Sequence, residues 1–419
     1  MTCSDDSHAI LFVTQYYPPE TGAASTRVGE LTKRWARDGH SVTVLTAAPD
    51  YPEGEVYDGY ENDWLTREER DGVTVYTTKT IPASNEGFLW RSVKFVWFML
   101  VGTVVGLRYL DPDVVVATSP QPFTGVIGWL IARIRRARFV FEVRDLWPES
   151  ITAVSDFDND LVVTGLDLLV EFLYSRADRI AVVSRGFVPA VAATGVDTDD
   201  IWVHPNGVDP SFFDRSDDEW QVADPLRGKL ADRFVVSYVG TVGRAHGLEV
   251  VLDAAERFRG TENVLFVVVG FGAHADRLER EANERGLENV LFVGRRPKTE
   301  VPDFLDLTDV SLVHLKDRDL FRSAIPSKLF EALASGTPIA LGVRGEAARI
   351  VEESETGLVF EPEDDGALAA AVRRLRGDDE LYERCRRNAR PYVRANYSWD
   401  VIATEYRRDI ESLVGHAKA

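Results

Sequence analysis

An α/β fold of two doubly wound domains is predicted by three observations. Short apolar runs of four to six residues, the pattern of parallel strands buried on both faces, alternate with longer amphipathic segments. This alternation occurs twice, about residues 9–184 and again about residues 234–341, with a polar stretch between them. Each series opens on a strand that runs into a loop of glycine and small residues and then a helix, the unit that brings backbone close to a ligand.

The first run, residues 9–14, feeds Gln15-Tyr-Tyr-Pro-Pro-Glu-Thr-Gly-Ala-Ala-Ser25 and a helix to about Arg37. Asp38-Gly39-His40 stops that helix and residues 41–46 form the second strand. Further strands are expected at 73–77, 114–118, 139–143 and 180–184. Asn206-Gly-Val-Asp209 is a turn, and the polar segment to about Asp232 reads as a linker. The second series follows at 234–239, 264–269, 290–293, 310–315 and 339–341, and one more helix begins near Tyr397. The expected domains are residues 1–205, with about 397–419 returning to them, and residues 206–396.

At 419 residues the chain is long enough for two such domains. Its two cysteines, Cys3 and Cys385, form neither a disulfide framework nor a metal site. No basic segment precedes the first apolar run, so no signal peptide is expected and a cytoplasmic location is the default. A formal charge of -20 argues against nucleic acid. With 8 lysines and 40 arginines among abundant carboxylates, the composition suits the cytosol of a halophilic archaeon, where salt screens self-repulsion. Ordinary acidic solubility is the plainer alternative.

Residues 95–107 are almost wholly apolar, a run too short to span a bilayer. A buried core helix accounts for it. Its surroundings also fit docking on anionic lipid: between 88 and 138 there are seven basic residues and two acidic ones, with Trp90, Trp97 and Trp129 interleaved.

Two stretches carry candidate chemistry. Ala324-Ile-Pro-Ser-Lys-Leu-Phe-Glu331 starts a helix that Gly336 and Pro338 end, leaving free N–H groups beside Lys328 with Glu331 one turn on. That arrangement suits a phosphate and the hydroxyls of a sugar, and equally a capped amphipathic helix with solvated charges. Ser237-Tyr-Val-Gly-Thr-Val-Gly-Arg-Ala-His-Gly247 approaches a dinucleotide fingerprint. A nicotinamide cofactor would need an acid after the next strand, where Gly270-Phe271-Gly272 stands instead, and Arg244 in the loop points to a compact anion.

With Gln15–Gly22, residues 49–54, Glu142-Val-Arg-Asp-Leu-Trp-Pro-Glu-Ser150, Pro205–Asp209 and the 324–338 helix together, nearly the whole chain resembles the family 4 (group 1) nucleotide-sugar glycosyltransferases. It is similar to those that add amino sugars such as N-acetyl-L-fucosamine in surface polysaccharide assembly. The resemblance implies a GT-B fold, two facing Rossmann-like domains, with a nucleotide-diphosphate sugar held mostly by the second. It implies transfer with retention to a polyprenyl- or dolichol-linked glycan acceptor, at the inner face of the cell membrane, without cofactor or metal. Donor contacts are expected from Gly22, Thr241, Gly243, Arg244, Ser323, Lys328 and Glu331. Glu331 matches the second acid of the family's Glu-x7-Glu motif, Ser323 replaces the first, and Thr241 and His246 stand near the usual basic pair. Arg244 and Lys328 would then neutralise the diphosphate, and Asp145 would orient or deprotonate the acceptor or simply pair with Arg144. A nucleotide-sugar epimerase or hydrolase, or a non-catalytic binding subunit, would share the fold.

Overall fold

The computed structural model describes residues 7–51, 54–82, 88–119, 121–147, 160–214, 221–260 and 263–415. The chain divides into two compact units, Met1–Asn206 with Trp399–Ala419, and Gly207–Ser398.

In the first unit, eight strands form one sheet: β1 (Ala9–Val13), β2 (Ser41–Ala47), β3 (Leu65–Arg70), β4 (Val73–Thr78), β5 (Val114–Thr118), β6 (Arg138–Val143), β7 (Arg179–Val182) and β8 (Ile201–Val203). Their order is β3-β4-β2-β1-β5-β6-β7-β8. All neighbours are parallel except the β3–β4 hairpin. Ile10, Leu11, Phe12 and Val13 are all buried, as expected of a strand covered on both faces.

One face is covered by α1 (Ala23–Arg37) and by the last helix, Trp399–Gly415. Trp35 fixes that pairing: fully buried, it stacks edge-on against Tyr406 at 5.4 Å and donates its indole N–H to the Ala403 carbonyl at 2.9 Å. Truncating an aromatic so placed costs about 3–5 kcal/mol. The opposite face carries α2 (Phe88–Tyr109), α3 (Phe123–Arg135) and the Asp160–Arg176 helix. At 22 residues, α2 is longer than its 13-residue apolar run and, by length and composition alone, is the one helix among the described residues that could cross a membrane. It also packs into the domain. Phe95, Phe98, Val101 and Val105 are core residues, and Gly106 lets α3 come close, since a Cβ there would fall 2.2 Å from Ile131 Cδ1.

The second unit is a six-stranded, wholly parallel sheet of β9 (Phe234–Val239), β10 (Val264–Val269), β11 (Val290–Gly294), β12 (Val310–His314), β13 (Ile339–Gly342) and β14 (Gly357–Val359). Its order is β11-β10-β9-β12-β13-β14. That is the doubly wound arrangement in which the chain reverses direction between β9 and β12, where open α/β sheets bind ligands at the strands' carboxyl ends. The region expected as a linker contains structure, a short turn of helix at Pro210–Phe213 and the Asp224–Ala231 helix.

Candidate functional site

At the reversal point of the second unit, β9 ends in Val239 and the chain turns through Gly240, with φ +142. The loop after β10 crosses directly beneath it. Val242 N donates to Phe271 O at 2.8 Å, and Gly240 N donates to Val269 O at 2.8 Å. A Cβ at Gly270 would lie 1.8 Å from Gly240 O, so only glycine allows the two loops to zip together. Gly270-Phe-Gly272 is therefore the floor of the glycine loop, a role its lack of an acid did not reveal.

Lys328 comes to this loop from the Ser327–Ser335 helix, capped at Pro326 and closed by Gly336 in the left-handed region. Its Nζ donates to the Tyr238 hydroxyl and lies 3.7 Å from the centroid of that ring. The Tyr238 hydroxyl donates onward to the Thr241 carbonyl at 2.6 Å. Tyr238 thus joins the lysine to the glycine loop. Burial of Lys328, opposed by Glu331, pushes its pKa down to about 7. The ammonium is stored in a place where an arriving anion would stabilise it.

Two histidines hold the loop from below without adding charge. His246 Nδ1 accepts from Gly243 N at 3.2 Å, and burial followed by the nearby Lys328 pushes its pKa down to about 4. The fully buried His314, at the end of β12, donates from Nδ1 to the His246 carbonyl at 2.6 Å and accepts the Glu363 N–H on Nε2 at 2.9 Å. Both contacts require one neutral tautomer, and burial lowers its pKa too. Neither Tyr238 nor His314 was singled out from sequence; a tyrosine and a histidine inside apolar strand runs were the available signals.

Thr241, Gly243 and Lys328 therefore surround one loop. Arg244 begins the short turn Arg244–His246, exposed and without an ion pair among the described residues. Glu331, one turn beyond Lys328 and half-buried, has its pKa raised by burial, with Lys298 and Lys328 pulling the other way. Ser323 ends the Asp319–Arg322 helix and spends its hydroxyl on Leu320 O at 3.0 Å.

Gly22 and Asp145 belong to the first unit. Gly22, at φ +125, caps α1 without a side chain, leaving first-turn N–H groups open at the point where that sheet reverses between β1 and β5. One turn on, Arg27 is fully buried against Glu142 at 2.8 Å and donates to Pro205 O at 2.8 Å, while Thr118 donates to the other Glu142 oxygen at 2.7 Å. Arg27 of α1 thus ties the Glu142 motif, by a buried ion pair, to the Pro205 motif, by a hydrogen bond. Asp145 is exposed three residues after Glu142, and Arg144 N donates to Ser119 Oγ at 2.8 Å. The end of that motif, Pro148-Glu-Ser150, and Pro52-Glu53 of another lie outside the described residues. Glu20 accepts the N–H groups of Asp50 and Tyr51 at 3.0 Å each, and burial raises its pKa to about 7. Asp50 in turn is paired with Lys94 of α2 in the interior. Among the described residues no cluster of three or more His, Cys, Asp or Glu could hold a metal ion.

Two family descriptions match the chain, "Glycosyl transferases group 1" over residues 225–392 and "Glycosyl transferase 4-like domain" over residues 22–207. A putative colanic acid biosynthesis glycosyl transferase, WcaI of Escherichia coli, is 27% identical over 368 residues, 85% of this chain and 89% of that protein. Among solved structures, sucrose-phosphate synthase from Thermosynechococcus elongatus is similar with a TM-score of 0.75 at 19% identity, covering 98% of this chain and 100% of its own. Anabaena Alr3699/HepE, solved in complex with UDP, is similar with a TM-score of 0.71 at 18% identity, covering 96% and 100%. These structures share the two-domain GT-B architecture.

Proposed function

From the premise that this chain belongs to the group 1 glycosyltransferases of GT-B fold and transfers sugar from a nucleotide-diphosphate donor, we propose that it is a retaining enzyme acting on a lipid-linked glycan acceptor. The carrying observation is the Lys328 ammonium held by Tyr238 at the glycine loop. As the bond from anomeric carbon to diphosphate breaks, negative charge grows on the leaving phosphate. Fixed cations and open N–H groups aimed at that charge lower the barrier most.

In this reading Lys328, Arg244 and the N–H groups of the Ser327–Ser335 helix and the glycine loop meet the diphosphate. Glu331 accepts from ribose hydroxyls, and Thr241, Gly243 and Ser323 shape the donor pocket. The departing phosphate takes the acceptor's proton, so no protein nucleophile is needed. From the first unit, the open α1 terminus at Gly22 adds N–H groups toward the donor's diphosphate, and the exposed Asp145 serves the acceptor. An acetamidosugar is proposed as the transferred group, on the resemblance to amino-sugar transferases. UDP in the Anabaena structure makes uridine donors the first to try.

The enzyme is further proposed to work at the inner face of the cell membrane, peripherally, through about residues 88–138. Supporting this, Trp90, Val93, Val96, Leu100 and Val104 lie exposed on α2. Trp97 does not share that exposure; its indole donates to Lys79 O at 2.8 Å and its ring meets Trp64 edge-on. The test is product analysis with labelled donor, with and without a polyprenyl-linked acceptor. A lipid-linked product keeping the donor's anomeric configuration supports the proposal. Free sugar or an epimerised donor, whether or not acceptor is present, overturns it.

A further inference from the structure

Exposed apolar side chains are concentrated on one face of the first unit. Of the twelve large hydrophobic residues exposed among those described, ten lie on α2, α3 and the Asp160–Arg176 helix, with Ile134 at 58% exposure and Leu161 at 85%. Soluble surfaces scatter such residues singly, and a concentration of this kind marks an interaction surface. The third helix matters most. It is apolar around most of its circumference, yet only Val170, Leu173 and Tyr174 are buried. Its acids, Asp160, Asp167 and Glu171, recur at i, i+7 and i+11 and so share one stripe. Leu161, Leu168 and Phe172 share the neighbouring stripe. Phe172 meets Trp129 of α3 edge-on at 4.9 Å, so the apolar stripe lies on the α3 side and the acids lie beyond it.

Where α3 and this helix end, they enclose a groove of about 480 Å³. Trp129, Arg133, Ala137, Ser175 and Arg176 line it, together with Asp178. The Asp178 carboxylate is already committed, to Arg138 at 2.7 Å and to Phe139 N at 2.8 Å. Arg176 lies over the Phe172 ring at 5.4 Å, and neither it nor Arg133 has a carboxylate partner among the described residues. Arg108 and Arg136, on the adjoining ends of α2 and α3, are likewise without one. Arg108, Arg133, Arg136 and Arg176 thus gather positive charge around one groove beside apolar surface, in a chain of charge -20, and that local reversal of sign suits an anion.

We propose that this groove binds the phosphate headgroup of an anionic membrane lipid, with Arg133 and Arg176 as the phosphate ligands, Ile134 entering the acyl boundary beside it, and Leu168 and Leu161 entering it farther back along their helix. The inference rests on the membrane reading above and extends it to a specific site and to a helix that reading did not include. Guanidinium groups recognise phosphate oxygens through paired N–H donors, and Trp129 supplies the amphipathic ring favoured at headgroup depth. The charge of the groove selects lipid over an acidic chain's other partners, and the apolar helices select a bilayer over free phosphate.

The experiment is flotation of the full chain with vesicles of phosphatidylglycerol and phosphatidylcholine, and with phosphatidylcholine alone. It compares wild type, Arg133→Glu with Arg176→Glu, Arg133→Lys with Arg176→Lys, and Leu100→Glu with Val104→Glu. Wild type should float with the anionic vesicles alone, and the double glutamate variant should lose at least about tenfold in partition. The lysine variant should keep part of the binding, and the α2 variant should lose it. All four should transfer sugar to a water-soluble acceptor at the wild-type rate, which keeps the glycosyltransferase reading separate. Unchanged flotation of the glutamate variant, with loss in the α2 variant, would overturn the groove while leaving membrane docking in place. Absence of wild-type flotation, or sedimentation showing that the same variants dissociate a dimer, would overturn the lipid assignment outright.

Discussion

Replacing Lys328 with methionine keeps the unbranched stem of the side chain, one atom shorter, and removes its charge. In the free protein the ammonium, its pKa near 7, sits against the Tyr238 ring. A diphosphate oxygen about 4 Å away would interact with it by about 4 kcal/mol at the effective dielectric of a protein surface. On the acid side of the profile, where the lysine is charged, Lys328→Met should therefore lower kcat/KM for donor by about a thousandfold. One pH unit above its pKa the free enzyme must recharge the lysine at about 1.4 kcal/mol, so the difference shrinks to about a hundredfold. Wild-type kcat/KM should accordingly fall as pH rises through about 7, while Lys328→Arg, charged throughout, should show a flat profile. Stability should move the other way. The folded-state pKa lies below the ordinary lysine value, so the unfolded chain binds more protons between the two and stability rises with pH across that window. Lys328→Met should abolish this rise and be no less stable than wild type. Initial rates with saturating acceptor across pH, with thermal unfolding in parallel, measure both. A methionine variant within about threefold of wild type at every pH would refute the argument.

Tyr238→Phe keeps the ring under Lys328 but removes the hydroxyl that links lysine and loop, and should raise donor KM by about tenfold with a small loss of stability; isothermal titration with donor checks it. Gly270→Ala forces a Cβ into the Gly240 carbonyl and should cost several kcal/mol or prevent folding, whereas Ala at the open Gly39 position should cost only the strain of its positive φ. Urea unfolding distinguishes them. Glu142→Gln leaves Arg27 buried without its counter-charge and should destabilise the first unit by about 3–5 kcal/mol at neutral pH. The paired Arg27 holds the Glu142 pKa below the usual carboxylate range, outweighing burial. Its stabilisation is thus present above the ordinary glutamate value and lost as pH falls through the depressed one, so the difference from wild type should narrow in acid.

Much of the layering was legible because punctuation residues do local work. Pro326 and Gly336 mark the ends of the Lys328 helix whatever surrounds them. The edge hairpin was not legible in the same way. Leu65-Thr-Arg-Glu-Glu-Arg70 has no apolar alternation, because an edge strand is protected by charge. Its Asp71-Gly72 turn, at φ 52 and φ 79, was the available cue. For α2 the apolar run was visible but its ends were not, since Trp90 through Lys94 and Arg108-Tyr109 continue the helix with mixed chemistry. At the site, sequence could place Lys328 at a helix start but could not say what its ammonium rests on. Tyr238 and His314 lie 90 and 14 residues away along the chain, and only the reversal of strand order brings them to it.

The route of the chain has a practical consequence. Residues 207–398 leave and rejoin the first unit, and their two ends already touch, with Val208 N donating to Tyr397 O at 2.9 Å and Val208 bridging to Ser398. This unit is therefore a cassette closed by its own backbone, suited to expression alone from a gene segment with neighbouring termini. Clipping the chain after Ser398, by contrast, would not trim a tail. It would strip the wall off Trp35 and leave the other half open to solvent.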